Sequence, residues 1–312
     1  MAINKIDQYI QAATRENTRH SYQAAISHYE VSWGGLLPAT ADNIARYLAD
    51  YAESLVISTL KQRLSAIAGW HTEQGFPDPT KAPIVKRVLK GIHALHPKQE
   101  KQAKPFQIET LTAIDSYLID QIEIAKKANN TTHLLAHLRN RALVLIGFWR
   151  AFRSDELCRL NVESIEIIRG EGMILYLPRT KTDHVQHGVT YHAPMLSKLC
   201  PVNAYQEWIN YAGLTKGPVF RKINRWGQVS DSAMNPRSIA PLLRKLLIQA
   251  GVEHAMAYSS HSLRRGFASW ASDNGWDLKS LMVYVGWKNV QSAIKYLDRD
   301  DLFGQRRIEN KL

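Results

Sequence analysis

Between His96 and Pro105 the chain reads HPKQEKQAKP, a stretch with three lysines, two prolines and almost no apolar side chain. A segment of that composition buries too little surface to offset the entropy of ordering it, so it predicts a linker. This break constrains the fold more than any other feature. It divides 312 residues into a unit over 1–95, a linker over 96–105 and a unit over 106–312, each long enough to bury a core of ordinary domain size.

The first unit reads as helices. Tyr22, Ala25, Ile26 and Tyr29 recur at helical spacing, as do Ile44, Leu48 and Tyr51 further on. In SLVISTLKQRLSAIAGWHTEQG an apolar stripe of Leu60, Leu64 and Ile67 predicts a helix capped by Ser58 and ended by Gly75, with Lys61 and Arg63 off the stripe. DPTKAPIVKRVLKGIHAL turns Val85, Val88, Leu89 and Ile92 inward and Lys81, Lys86, Arg87 and Lys90 outward. A basic helical face is ordinarily just solvated. The formal net charge of +12, however, favours a polyanionic partner, with nucleic acid ahead of an anionic membrane surface. A compact helical unit with cationic faces then suits a DNA backbone, and these six lysines and arginines are its candidate DNA contacts.

After the linker the pattern changes. LRNRALVLIGFW is an almost continuous apolar run and predicts a buried helix. GMILYLPRTKTDHVQHGVTYHAP predicts two strands joined by a polar turn, and from about Leu196 helices with short loops are expected to continue to the end. The fold class expected is mainly α with a small β-sheet, α+β. The sequence carries no apolar run of 18 residues and no signal-peptide core at its start, so a protein that stays in the cytoplasm, off the membrane, is expected. Cys158 and Cys200 make no disulfide framework and are expected buried and inert.

Several short motifs carry potential chemistry, and each has an ordinary structural explanation. Arg153 precedes Ser154, a good N-cap, with Asp155 and Glu156 in the next turn, which is either a phosphate site at a helix start or a simple ion pair. Lys181 sits in the turn between the strands, as a solvated side chain or as a mobile general acid. His184, His187 and His192 match no strong metal-ligand spacing, and no metal or other cofactor is expected. His261 and Arg264, in HSLRRGFASW, lie one helical turn apart and can direct donors at one anion. Gly286 breaks a helical run, and Trp287 and Tyr296 follow.

Taken in order, these elements are far more specific than any one alone. RxxEL at Arg153 to Leu157, a lysine in a hairpin, HxLR at His261 to Arg264, the pair Gly286-Trp287 and then Tyr296 resemble the tyrosine recombinase (phage integrase) family over the whole chain. The resemblance implies a two-domain, C-shaped DNA clamp: a helical core-binding domain, a linker and a catalytic domain with a C-terminal tail over 299–312.

It also implies residue roles. Tyr296 is the nucleophile that forms a 3′-phosphotyrosyl bond, Arg153 and Arg264 hold the non-bridging oxygens, Lys181 protonates the leaving oxygen, and His261 binds the phosphate and handles the tyrosine proton. Glu156 braces the array. Trp287 stands where many members carry histidine, and as an indole it can donate but not shuttle a proton. Ala151-Phe152 stands where the family often has a glycine, which leaves the local turn open. The partner implied is a double-stranded DNA recombination site, acted on by a homotetramer spanning two sites through a Holliday junction, with accessory DNA-bending proteins in some members. Leu302 and Phe303 in the tail are expected to anchor on a neighbouring protomer. A type IB topoisomerase-like relaxase and a non-catalytic DNA-binding protein are the alternatives; a helical N-terminal unit and the full set of catalytic residue types speak against them.

Overall fold

The computed structural model describes residues 5, 9, 13, 14, 16–97, 102–178 and 188–294. The chain divides into two compact units, Met1–Lys101 and Gln102–Leu312.

The first unit is helical. Helix α1 (Glu16–Ser27) runs into a π-turn at His28–Ser32, and α2 (Ala41–Asp50), α3 (Ile57–Glu73) and α4 (Pro83–Leu95) follow. The apolar stripes read from the sequence meet in one core of Tyr29, Ile44, Tyr47, Leu48, Leu60, Leu64, Ile67, Val85 and Ile92. Thr40 caps α2, its hydroxyl accepting from the Asn43 N–H at 3.2 Å. Ser58 is not a cap. Val56 holds the extended cap position of α3, and Ser58 lies inside the first turn. Lys61, Lys81, Lys86, Arg87 and Lys90 are exposed, but Arg63 is half-buried. Its Nη1 donates to the Tyr47 hydroxyl at 2.9 Å, and its guanidinium stands 5.9 Å from the Tyr51 ring centroid. In this structure Arg63 is engaged by its own core, because the three-carbon stem follows the apolar surface that the stripe leaves beside it.

The second unit is built around α6 (Thr131–Trp149), packed against α5 (Ile108–Lys127) and against α8 (Pro201–Ala212). Nearly every residue of α6 from Leu138 to Trp149 is buried, so the continuous apolar run is a helix enclosed on all sides. A short helix α7 (Ser154–Cys158) leads to an antiparallel sheet of β1 (Ile165–Ile168), β2 (Gly172–Leu177) and β3 (Val189–Pro194), in that order. A second hairpin, β4 (Arg221–Ile223) with β5 (Val229–Ala233), precedes α9 (Ile239–Gln249), α10 (His261–Asp273), α11 (Leu278–Val285) and α12 (Val290–Ile294).

Two expectations need correction. The sheet has a third strand, β1, and the helices after Leu196 are interrupted by the β4–β5 hairpin. That hairpin closes on Asn224, whose side-chain oxygen accepts from the Trp226 and Gln228 N–H groups at 3.0 Å, with Gly227 at φ +82°. Both cysteines are buried and free, and burial pushes the Cys158 thiol up to about 12. Among the described residues no helix is long and apolar enough to cross a membrane.

Candidate active site

At the end of α6 the chain must reverse within a few residues to start α7. Ala151 does this by taking φ +51°, the left-handed region, with its N–H bonded to the Phe148 carbonyl at 2.9 Å. The alanine therefore fills a position where a glycine is the less strained choice. Arg153, and not Ser154, is the cap of α7: it is extended at φ −76° and ψ 156°, and Ser154 is the first helical residue. The cap works through Glu156, which reaches back one turn. One carboxylate oxygen accepts from the Arg153 backbone N–H at 2.8 Å and the other from Arg153 Nη1 at 2.6 Å.

Glu156 is 2% exposed, and a second guanidinium approaches it from a distant part of the chain. Arg264 Nη1 lies 3.8 Å from the Glu156 oxygen that bonds the Arg153 amide. Arg264 sits on α10, which is drawn close by two glycines. A Cβ on Gly266 would fall 2.0 Å from the Phe106 carbonyl oxygen, and one on Gly147 would fall 2.8 Å from Leu263. Arg264 is itself 1% exposed. Its Nη1 donates to the Ala151 carbonyl at 2.7 Å, its Nη2 reaches the Val285 carbonyl at 3.5 Å, and its guanidinium stands 5.2 Å from the Trp287 ring centroid. Gly286, at φ +75°, ends α11, and the Trp287 N–H bonds back to the Met282 carbonyl at 2.9 Å, which turns the indole inward.

The structure thus gathers Arg153, Glu156, Arg264 and Trp287 from three separate stretches of sequence. His261 begins α10 one turn before Arg264 and is exposed, and the Arg153 side chain keeps 19% exposure. Arg153 and His261 are thus the solvent-accessible members of the set, and Arg264 is the buried one. Two guanidiniums share one buried carboxylate, so the cluster retains a positive charge suited to an anion. Lys181 and Tyr296 lie outside the described residues; α12 ends at Ile294, just short of Tyr296. His184 and His187 also lie outside them. His192 is exposed on β3, and among the described residues no group of three His, Cys, Asp or Glu is placed to hold a metal. The six candidate DNA contacts all belong to the other unit.

Three residues at this site were not singled out as its members from sequence. Tyr191 of β3 packs edge-on to Phe152 with centroids 5.0 Å apart. Burial pushes its hydroxyl above the ordinary range, Glu156 adds to that, and Arg150, Arg264 and Arg153 oppose it. Arg150 is buried with its guanidinium 3.8 Å from the Tyr284 ring centroid, and the Tyr284 hydroxyl donates to the Trp149 carbonyl at 2.9 Å. Tyr284 is the tyrosine nearest in sequence to Tyr296, and its oxygen is committed to the backbone of α6. The only local signal for Arg150 is its place three residues before Arg153.

Residues 117–302 match the model of the phage integrase family. The chain is 28% identical over 272 residues to an integrase/recombinase XerD homolog of Selenomonas ruminantium, covering 86% of this chain and 76% of that one. It is 24% identical over 274 residues to the recombinase Cre of Escherichia phage P1, covering 83% and 76%. Among solved structures, the XerH site-specific recombinase bound to a palindromic difH substrate in a post-cleavage complex is similar with a TM-score of 0.60 at 18% identity, over 93% of this chain and 75% of that one. A lambda integrase dimer bound to a COC′ core site is similar with a TM-score of 0.59 at 15% identity, over 95% of each chain. These structural likenesses show a shared fold, and the sequence match spans the α6–α12 framework that gathers the cluster. The chain belongs to the phage integrase family and is a tyrosine-type site-specific recombinase.

Proposed function

We propose that this recombinase cuts and rejoins double-stranded DNA at a specific site through a covalent tyrosyl intermediate, with Arg153 and Arg264 as its phosphate-binding pair. The observation that carries the reading is Glu156, a buried carboxylate held 2.6 Å from Arg153 and 3.8 Å from Arg264. It fixes two guanidiniums from distant segments at one place, and exposed His261 begins the helix that carries one of them. Phosphoryl transfer depends on positioning and on stabilising charge on the equatorial oxygens, and such a cluster supplies both.

In this reading the Tyr296 oxygen attacks phosphorus while the bond to the 5′-oxygen breaks. Lys181 gives that oxygen its proton, and His261 takes the tyrosine proton. The Trp287 indole packs beside Arg264 and limits how far the guanidinium moves. Because the 3′-phosphotyrosyl bond conserves the energy of the cleaved diester, religation by a second 5′-hydroxyl needs no nucleotide cofactor. Two exchanges of this kind pass through a Holliday junction and call for four protomers on two sites.

The helical unit, 1–95, contributes backbone contacts through Lys61, Lys81, Lys86, Arg87 and Lys90 on its exposed faces, with Arg63 released from Tyr47 on binding, and residues 96–105 link it to the catalytic domain. The tail over 299–312, through Leu302 and Phe303, couples neighbouring protomers. The setting is the DNA of a cytoplasm, with accessory DNA-bending proteins where the site requires them.

The test is incubation with DNA carrying the cognate site, in excess chelator, with analysis of protein-linked strands and four-way junctions. Covalent adducts and junctions that persist in chelator support the reading. Supercoil relaxation without junctions would assign a topoisomerase, and binding without any adduct would assign a non-catalytic protein.

A further inference from the structure

We infer that Arg150 and Tyr284 form a clasp that positions Arg153 and Trp287 for strand cleavage, a role that rests on the recombinase reading above. Neither residue touches the reacting phosphate in that reading. They are positioning residues.

Arg150 is 2% exposed, and among the described residues no carboxylate pairs with it. Its Nη1 donates to the His192 carbonyl on β3 at 2.9 Å, and its Nη2 donates to the Tyr284 carbonyl on α11 at 2.6 Å. The guanidinium lies over the Tyr284 ring at 3.8 Å and 5.1 Å from the Tyr191 ring centroid. Tyr284 answers through its hydroxyl, which donates to the Trp149 carbonyl at 2.9 Å. The contact is reciprocal: each residue's side chain binds the backbone of the element that carries the other.

Stability alone does not explain this choice. Burying a guanidinium without a carboxylate is costly, and an apolar side chain of similar volume would fill the space more cheaply. What an arginine adds is a rigid planar fork that fixes two carbonyls at a set spacing. Here those carbonyls belong to the sheet and to the last turn of α11, while the fork is rooted at the end of α6.

The clasp lies between the two arms of the active-site cluster. Arg153 follows Arg150 by three residues, and Trp287 follows Tyr284 by three. Arg264 ties the same two arms as well, through the Ala151 and Val285 carbonyls. The turn over 150–153 and the segment over 284–287 are therefore cross-linked by two arginines. Loss of one link lets the arms slide relative to each other, and a displacement of about 1 Å can slow a positioned reaction by roughly 100-fold.

The experiment measures single-turnover cleavage of a nicked suicide substrate by the full chain and by Arg150→Met, Arg150→Lys, Tyr284→Phe and the double variant Arg150→Met with Tyr284→Phe. Each is also tested on a substrate whose scissile phosphate is a methylphosphonate, which lacks the negative charge that Arg153 meets. Failure of the parent chain to form any adduct would count against the recombinase reading itself, separately from the clasp. Given parental activity, Arg150→Met is expected to bind DNA within about twofold of the parent but to cleave roughly 10- to 100-fold more slowly. Arg150→Lys, which keeps the charge and loses the fork, should be nearly as slow. The double variant should be no slower than Arg150→Met alone, because both changes open one link. On the methylphosphonate the deficit should shrink at least severalfold. Should Arg150→Met fail to fold, Tyr284→Phe carries the test, since it removes one hydroxyl and keeps the ring; it should show the same pattern more weakly. Parental cleavage by the variants, full rescue by lysine, or equal slowing on both substrates would overturn the proposal.

Discussion

Replacing Glu156 by alanine should do more damage than removing any other single carboxylate in the catalytic unit. The carboxylate is 2% exposed and accepts from Arg153 at 2.6 and 2.8 Å, with Arg264 at 3.8 Å. Its loss takes a buried carboxylate from beside Arg264, 1% exposed, and removes the cap of α7. Breaking a buried pair from one side costs about 3–5 kcal/mol, and the cap, worth roughly 1 kcal/mol alone, is not additive with it. For a domain the size of Gln102–Leu312, each kcal/mol moves the midpoint by about 2–4 °C, so Glu156→Ala should lower Tm by about 6–20 °C. Glu156→Gln tests the cause. The amide oxygen can still accept from the Arg153 N–H, so the cap survives while the charge does not. Thermal unfolding of the full chain, followed by near-ultraviolet circular dichroism, should show the fall in the transition of the catalytic unit, with Gln lying closer to Ala than to the parent. An alanine variant melting within about 2 °C of the parent, or a glutamine variant as stable as the parent, would refute the assignment of Glu156 as the counter-charge of two arginines.

Gly266→Ala should destabilise the catalytic unit by at least about 1–3 kcal/mol in urea unfolding, because the new methyl would meet the Phe106 carbonyl oxygen at 2.0 Å and backbone cannot rotate away. Alkaline stability should decline between about pH 9 and pH 12: the Cys158 thiol, raised from 9.0 to about 12, stays protonated when folded while the unfolded chain ionises, so its contribution is complete below pH 9 and is lost as pH rises through the folded value. Cys158→Ala should flatten that decline in urea titrations at successive pH values. Reversing Lys86, Arg87 and Lys90 to glutamate should lower the slope of log affinity against log salt by up to about 3, at roughly 0.9 per lost phosphate contact. An unchanged slope would show that this face does not meet DNA.

Much of the site was legible because its chemistry is carried by residue types at short spacings. The pair His261 and Arg264 sits on one helix, as its spacing suggests, and Gly286 ends the helix that its break predicts. What spacing cannot convey is depth. Lying one turn apart, His261 is exposed at the first position of α10, and Arg264 is buried one turn further in, where its guanidinium reaches the Ala151 and Val285 carbonyls. The assignment of Ser154 as cap followed residue preference, yet Glu156 supplies the cap from inside the helix. The clasp was illegible for a related reason: Arg150 and Tyr284 are 134 residues apart, and no local pattern marks an arginine that binds carbonyls. In the fold, β1 alternates weakly, and the β4–β5 hairpin is too short and too polar to display a period of two. Arg63, off the apolar stripe by periodicity, still folds back onto Tyr47 because its stem is long enough to reach it.

The central claim is that one tyrosine of this chain becomes joined to DNA, and it is tested most directly by finding that tyrosine. The full chain is trapped on a nicked suicide substrate, digested with protease and nuclease, and analysed by mass spectrometry for the peptide that carries a nucleotide. The account predicts the modification on Tyr296, its disappearance in Tyr296→Phe, and DNA binding by that variant that matches the parent within about twofold, since only the attacking oxygen is lost. A nucleotide on Tyr284, Tyr191 or any other residue, or an adduct that persists in Tyr296→Phe, would contradict it.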